Sequence, residues 1–277
     1  MSYTDFEYNG LRLSDFGCMV CSFGGGGELK TSSMGSNLTL NTITDKNNNF
    51  TIISTEYGEA YSEPFQICKK NCHGNDMSFS HSELSKIMRW LNKRSYFKFK
   101  PIFDNDTNIY YMGTFNIQKI TLAGNVVGLE LTFIADAPFG YYENNDYVMD
   151  FSDITKNYML YDMSDEVGYI YPSYLEIKCL ANGTLRINNS QENKVVEIKN
   201  CVNGEIITLD GKNKIIQTNV AHKGLYNDFN YNFVKVIRKE IIEDGYEDEN
   251  SNLNIYSVSL PCIIKLVYSP ICKLGVL

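Results

Sequence analysis

Residues 174–218 read YLEIKCLANGTLRINNSQENKVVEIKNCVNGEIITLDGKNKIIQT. Short runs of β-forming residues recur in this stretch: Tyr174–Cys179, Thr184–Asn188, Val195–Lys199, Ile206–Asp210 and Lys214–Thr218. Asn182-Gly183, Gln191–Asn193, Asn203-Gly204 and Gly211 separate them. Strand-like runs about ten residues apart, with turn residues between them, specify a β-sandwich. Phe229–Ile237, Asn254–Ser259 and Cys262–Tyr268 supply three further strands. The acidic stretch Glu240–Asn250 reads as a solvated loop. Upstream, from Tyr142 to about Tyr171, single apolar residues stand among Tyr, Asn and Asp, which reads as a linker or an irregular approach to the sandwich.

The N-terminal half is also strand-rich. Phe6-Glu7-Tyr8, an Asn9-Gly10 turn and Leu11-Arg12-Leu13 read as a hairpin. Cys18–Phe23 is a strand, broken by Gly24-Gly25-Gly26-Gly27. Leu38–Ile43 alternates apolar and polar residues and pairs with Phe50–Ser54 across Asp45–Asn49. Phe65–Cys68 follows as a strand. Ser80 and Glu83 form a capping box, with Phe79 and Leu84 spaced as its staple. Leu84, Ile87, Met88 and Leu91 then share one helical face, with Trp90 beside it and Lys93-Arg94 at the end. Tyr96–Phe103 and Ile109–Phe115 form one hairpin, and Asn116–Leu122 with Val126–Ala135 a second. Pro138 stops the last strand.

Composition agrees and excludes several functions. The 277 residues include 20 Tyr and 15 Phe, which suit pleated, half-buried surfaces. The formal charge of −8 repels phosphate, so specific nucleic-acid binding is not expected. No targeting segment and no apolar run of membrane-spanning length is visible, so no membrane insertion is expected. The eight Cys read as free thiols of a reducing cytoplasm.

Candidate chemical sites fare poorly. Cys18-x-x-Cys21 and Cys68-x-x-x-Cys72 with His73 carry zinc-ligand types, but residues three apart on a strand face opposite ways. Asp104-x-Asp106-x-Asn108 opens like a calcium loop, yet Ile109 stands where Gly is needed and Phe115 where Glu is needed. The histidines are His73, His81 and His222, and no Gly-x-Ser-x-Gly elbow accompanies them. Cys72-His73 lacks an orienting third group. Glu243, Asp244, Glu247, Asp248 and Glu249 cluster without an apolar cleft to separate their pKa values. Gly24–Gly27 lacks the Gly-Lys-Ser/Thr ending of a phosphate loop. Trp90 belongs to a core stripe, and Tyr226 and Tyr231 flank a turn where a ligand contact is conceivable. No catalytic residue, metal site or cofactor is expected.

The order of these elements resembles that of siphophage distal tail proteins. Hairpin strands, a helix near Ser80–Arg94 and a strand pair over Lys98–Tyr111 lead to Phe133-Ile134-Ala135-Asp136-Ala137-Pro138-Phe139-Gly140. This last segment is similar to the Phe-x-x-x-x-Pro-aromatic close of that family's N-terminal domain. Asn203-Gly204-Glu205-Ile206-Ile207-Thr208-Leu209-Asp210, Tyr226-Asn227-Asp228-Phe229-Asn230, and Asn252–Ile255 followed by Ile263–Pro270 resemble its later segments. The likeness spans roughly residues 5 to 272 and rests on the order of weak motifs. The chain departs from it at the acidic insertion around Glu243–Asn250 and at the Gly24–Gly27 loop.

The resemblance implies a mainly β protein. It has an N-terminal β-sandwich-like domain with one α-helix (residues 1–143) and a C-terminal galectin-like β-sandwich (residues 144–277). It implies a structural, non-enzymatic hub at the phage tail tip, synthesised in the bacterial cytoplasm and carried in the virion. Copies would close into a homohexameric ring joining the tail tube protein to a tail-associated tip protein, in some relatives lytic. An acidic channel wall would let DNA pass without sticking. Two rival readings are a carbohydrate-binding module that adsorbs to the host wall, alone or beside a receptor-binding protein, and a wall-degrading enzyme.

Overall fold

The computed structural model describes residues 4–24, 37–47, 49–70, 77–103, 108–239 and 251–273, with only the backbone at 242–243 and 246–247. The chain forms two compact units, Met1–Tyr142 with Cys272–Leu277, and Glu143–Ile271. Both are mainly antiparallel β.

The first unit is built on one large sheet. Strands β1 (Asp5–Tyr8) and β2 (Leu11–Arg12) pair across Asn9 and Gly10, whose φ values of 51° and 76° are the two left-handed residues of a tight hairpin. The sheet continues through β3 (Cys18–Cys21), β6 (Ser62–Lys69), β7 (Phe97–Ile102), β8 (Ile109–Leu122) and β9 (Asn125–Ala135), in the order β2-β1-β7-β8-β9-β6-β3. The hairpin β4 (Leu38–Thr44) and β5 (Phe50–Tyr57) stands apart from it. Strand β10 (Gly140–Tyr142) adds to β8 and also pairs with the late strand β24 (Ile271–Cys272). Cys272, near the C-terminus, is buried in this first core.

The two expected hairpins over 96–135 share a single 14-residue strand, β8. Its N-terminal half pairs with both β7 and β9, and its C-terminal half extends with β9 alone. Aromatic rings fill the core beneath. Phe99 packs on Phe6, Phe65, Phe115 and Phe133 with centroids 4.5–6.2 Å apart, in tilted, edge-on and stacked geometries. Gly113 is required here, because a Cβ would lie 2.3 Å from the Phe133 ring.

Helix α1 (His81–Leu91) starts as the sequence specifies. The Glu83 amide donates to the Ser80 hydroxyl at 3.3 Å, and the Ser80 amide donates back to the Glu83 carboxylate at 2.7 Å. Hydrogen bonding to Lys69 and to Ser80 holds the Glu83 carboxyl down at about 2. Ile87, Trp90 and Leu91 are the buried face, while Met88 points to solvent. The apolar stripe is thus rotated toward Trp90. The indole stacks on Phe16 at 4.3 Å and donates its N–H to the Tyr8 carbonyl at 2.8 Å. A large ring with one satisfied donor outcompetes a flexible thioether for the core.

The second unit is a sandwich. One sheet runs β11 (Asn145–Phe151), β23 (Cys262–Tyr268), β14 (Tyr174–Cys179), β17 (Ile206–Asp210), β18 (Ile215–Thr218). The other runs β12 (Tyr158–Tyr161), β22 (Leu253–Val258), β15 (Gly183–Asn189), β16 (Val196–Cys201). Alternate residues of both sheets, among them Phe151, Ile177, Ile264, Leu185, Ile198 and Tyr256, meet in one core. A separate ribbon pairs β13 (Gly168–Ile170) with β19 (Val236–Arg238).

Three expectations need correction. The weak stretch after Tyr142 is not a linker; it supplies β11, β12 and β13. Polar residues at its exposed positions hid the alternation of Tyr147, Met149 and Phe151, which β23 covers. Phe229–Ile237 is not one strand, for Phe229 makes an isolated bridge and only Val236–Arg238 is extended pairing. Tyr231 is left-handed at φ 58°, and the Asn230 and Asn232 amides bind the Val195 carbonyl in place of a ladder. Within Glu240–Asn250, β20 (Ile242–Glu243) pairs with β21 (Tyr246–Glu247), a small hairpin where a loop was expected.

Truncation of Phe99 to Ala removes the ring around which this first core packs. Urea unfolding of the variant is expected to show a loss of about 3–5 kcal/mol. Substitution of Gly113 by Ala is also expected to destabilise the unit, since the Phe133 ring must move.

Candidate assembly surface

Among the described residues, the hairpin β4–β5 is the feature of the first unit that its own fold leaves uncovered. Among the described residues its strands pair only with each other, so each has an outer edge of open amides and carbonyls. Every residue of β4 is exposed. Register sorts its side chains: Leu38 lies opposite Tyr57, Leu40 opposite Thr55, Thr42 opposite Ile52 and Thr44 opposite Phe50. Directly paired residues share a face. One face therefore carries Leu38, Leu40, Ile52, Phe50 and Tyr57 with Thr42, Thr44 and Thr55, and the other carries Thr39, Asn41, Thr51, Ser54 and Glu56, with Ile43 among them. Ile53 is the extra residue of a bulge between them.

The apolar face is open to water. Leu38, Leu40, Phe50 and Ile52 are 56%, 53%, 74% and 55% exposed. Full burial of each such side chain is worth about 1.5–3 kcal/mol, and a lone two-stranded ribbon is marginal in water. The turn is well made: the Asp45 carboxylate accepts the Asn49 amide at 2.9 Å and the Asn47 amide at 2.7 Å, which holds its carboxyl below the usual range. Alternation in the sequence marks this pair as strands. It does not tell that no core lies beneath them, and the reading above missed these residues for that reason.

The chemical candidates do not converge. Cys18 is buried and Cys21 half-buried on β3, and Cys68 sits on β6 opposite Met19. Among the described residues no three His, Cys, Asp or Glu side chains are arranged to hold a metal. Asn108 accepts a hydrogen bond from Lys100 at 3.2 Å, and Phe115 is a core ring. Cys72, His73, Asp104, Asp106, Gly25, Gly26 and Gly27 lie outside the described residues, as do Asp244, Asp248 and Glu249 and the side chains of Glu243 and Glu247. Gly24 is a bend, His81 is exposed at the first turn of α1, and Tyr226 and Tyr231 are exposed. Trp90 is a core ring. No helix among the described residues is long and apolar enough to cross a membrane.

His222 has an informative setting. Its buried ring places Nδ1 2.8 Å from Glu205 and Nε2 3.2 Å from Asp228. Glu205 is fully buried and also accepts from Thr218 at 2.8 Å and from the Val202 amide at 3.0 Å. A neutral imidazole has one N–H and can satisfy only one of the two carboxylates. Burial alone lowers the affinity of the ring for its proton, but the bonds to Glu205 and Asp228 outweigh it and the pKa is raised. Bonded to both carboxylates, the ring braces the second sandwich. The thiol that acts on it, Cys201, is buried in the core of the sandwich.

With the geometry in place, comparison identifies the class. Residues 1–137 match the family of phage tail protein N-terminal domains, and residues 139–268 match the family of phage tail C-terminal domains. The chain belongs to this family of phage tail proteins. It is similar to the SPP1 Dit protein (gp 19.1), whose crystal structure aligns with a TM-score of 0.60 over 97% of this chain and 99% of that one, at 10% identity. That protein is described as a paradigm of the hub adsorption apparatus in Gram-positive infecting phages. The likeness establishes a common fold, and the mainly β class expected from the sequence holds. No curated protein sequence matches the chain.

The raised pKa of His222 sets a sign for pH dependence. Its contribution is complete below the unfolded value near 6.5 and is lost as pH rises through the folded value. Thermal melts are expected to show the second unit losing stability as pH rises above 6.5, and His222→Gln to flatten that slope.

Proposed function

We propose that this protein is a non-enzymatic hub of the phage tail tip, and that copies of it close into a homohexameric ring. The observation that carries this is the amphipathic hairpin β4–β5, with an apolar face and two strand edges that its own unit does not cover. A neighbouring copy can supply the cover. Such a contact joins different surfaces of two copies, so it propagates, and rotational closure ends it without an open fibre. Membership in the phage tail family supports a place in the virion. In this reading the ring joins the tail tube protein to a tail-associated tip protein, and the second unit is a galectin-like sandwich. The scarcity of converging ionisable groups supports a purely structural role.

Native mass spectrometry is expected to find six copies of the 31.6 kDa chain. Leu40→Asp combined with Ile52→Asp is expected to yield monomers with an unchanged melting temperature, because both side chains are already exposed within one chain. Unaltered assembly of that variant rules the hairpin out as the ring contact.

A further inference from the structure

The second unit carries a groove of about 530 Å³ on the β13–β19 ribbon. Register places Tyr169 opposite Ile237, so the two share a face. Residues two apart on a strand point the same way, which adds Val167, Lys235 and Lys239 to that face. All five line the groove. The groove thus shows an aromatic ring and an aliphatic floor among three cations, Lys235, Arg238 and Lys239, against one carboxylate, Glu192, on a chain whose net charge is −8. Gly168 has a φ of 134°, a conformation that side-chain-bearing residues rarely adopt.

The groups are held in place. Tyr169 meets the Tyr171 ring edge-on at 5.3 Å, and the Lys235 ammonium sits 5.1 Å from the Tyr169 centroid. Lys235 is also paired with Glu192 at the groove wall. Tyr169 nevertheless remains 59% exposed. The ribbon itself is clamped by buried Asn254, whose amide oxygen accepts the Ile237 amide at 2.9 Å and whose amide nitrogen donates to the Ile237 carbonyl at 2.8 Å. Asn189 donates to the Lys235 carbonyl at 3.0 Å and to Asn254 at 2.8 Å. Rigid backing of a shallow face lowers the ordering cost of binding.

We propose that this groove binds an anionic saccharide. The sugar ring packs on Tyr169 and Ile237, and a phosphate or carboxylate on it meets Lys235 and Lys239. An exposed aromatic beside an aliphatic side chain suits the C–H face of a sugar, and flanking ammonium groups select for negative charge. A plain anion leaves the aromatic floor unused, and a neutral sugar leaves the Lys239 ammonium unanswered, Lys235 being already paired with Glu192. The inference stands apart from the ring, because it needs only the second unit's own surface.

The test uses the full chain with glucose 1-phosphate, glucose and inorganic phosphate as probes, read by saturation-transfer NMR. Glucose 1-phosphate is expected to show transfer to its ring protons, with glucose and phosphate each at least about tenfold weaker. Tyr169→Ala and Lys239→Glu are each expected to weaken binding about tenfold with unchanged melting temperatures, and Tyr169→Phe to retain it. Added salt is expected to weaken binding. No transfer at about 10 mM overturns the proposal. So does binding that survives both substitutions, or inorganic phosphate competing as well as the sugar phosphate.

Discussion

A strand directs successive side chains to opposite faces, and the apolar half must be covered by something. Most of this molecule follows from that constraint. In the second unit two sheets cover each other, and Phe151, Ile177, Leu185, Ile198 and Ile264 meet between them. In the first unit a single broad sheet receives helix α1 and a nest of aromatic rings around Phe99 and Phe6. In the β4–β5 hairpin the same alternation finds no cover among the described residues.

Charge plays the secondary part. Buried polar groups are few, and the buried ones are bonded. Asn254 substitutes its side chain for a neighbouring strand and fastens the ribbon to the sandwich. His222 bridges Glu205 and Asp228 through its two ring nitrogens. These contacts set which loops sit where on the sandwich.

The fold was widely legible in the chain because its signals are local. The Ser80–Glu83 capping box, the Asn9-Gly10 turn and the evenly spaced runs from Tyr174 to Thr218 each act within a few residues. Legibility failed where a distant partner decides. Tyr147, Met149 and Phe151 become a strand because β23 lies beside them. The run from Phe229 loses its ladder because Asn230 and Asn232 bond sideways to Val195. Trp90 displaces Met88 from the core because Phe16 and the Tyr8 carbonyl are waiting for it.

The residues alone determined the class of the protein: alternating strands, one capped helix and two β-rich halves in the order of a phage tail protein. Local propensity and turn chemistry carry that information without help from the rest of the chain. Only the tertiary structure decided which apolar faces are core and which are surface. Leu40 and Leu185 sit in similar alternating runs, yet one faces water and the other a second sheet. Burial is a property of what lies across the gap, and no window of sequence contains both sides of it.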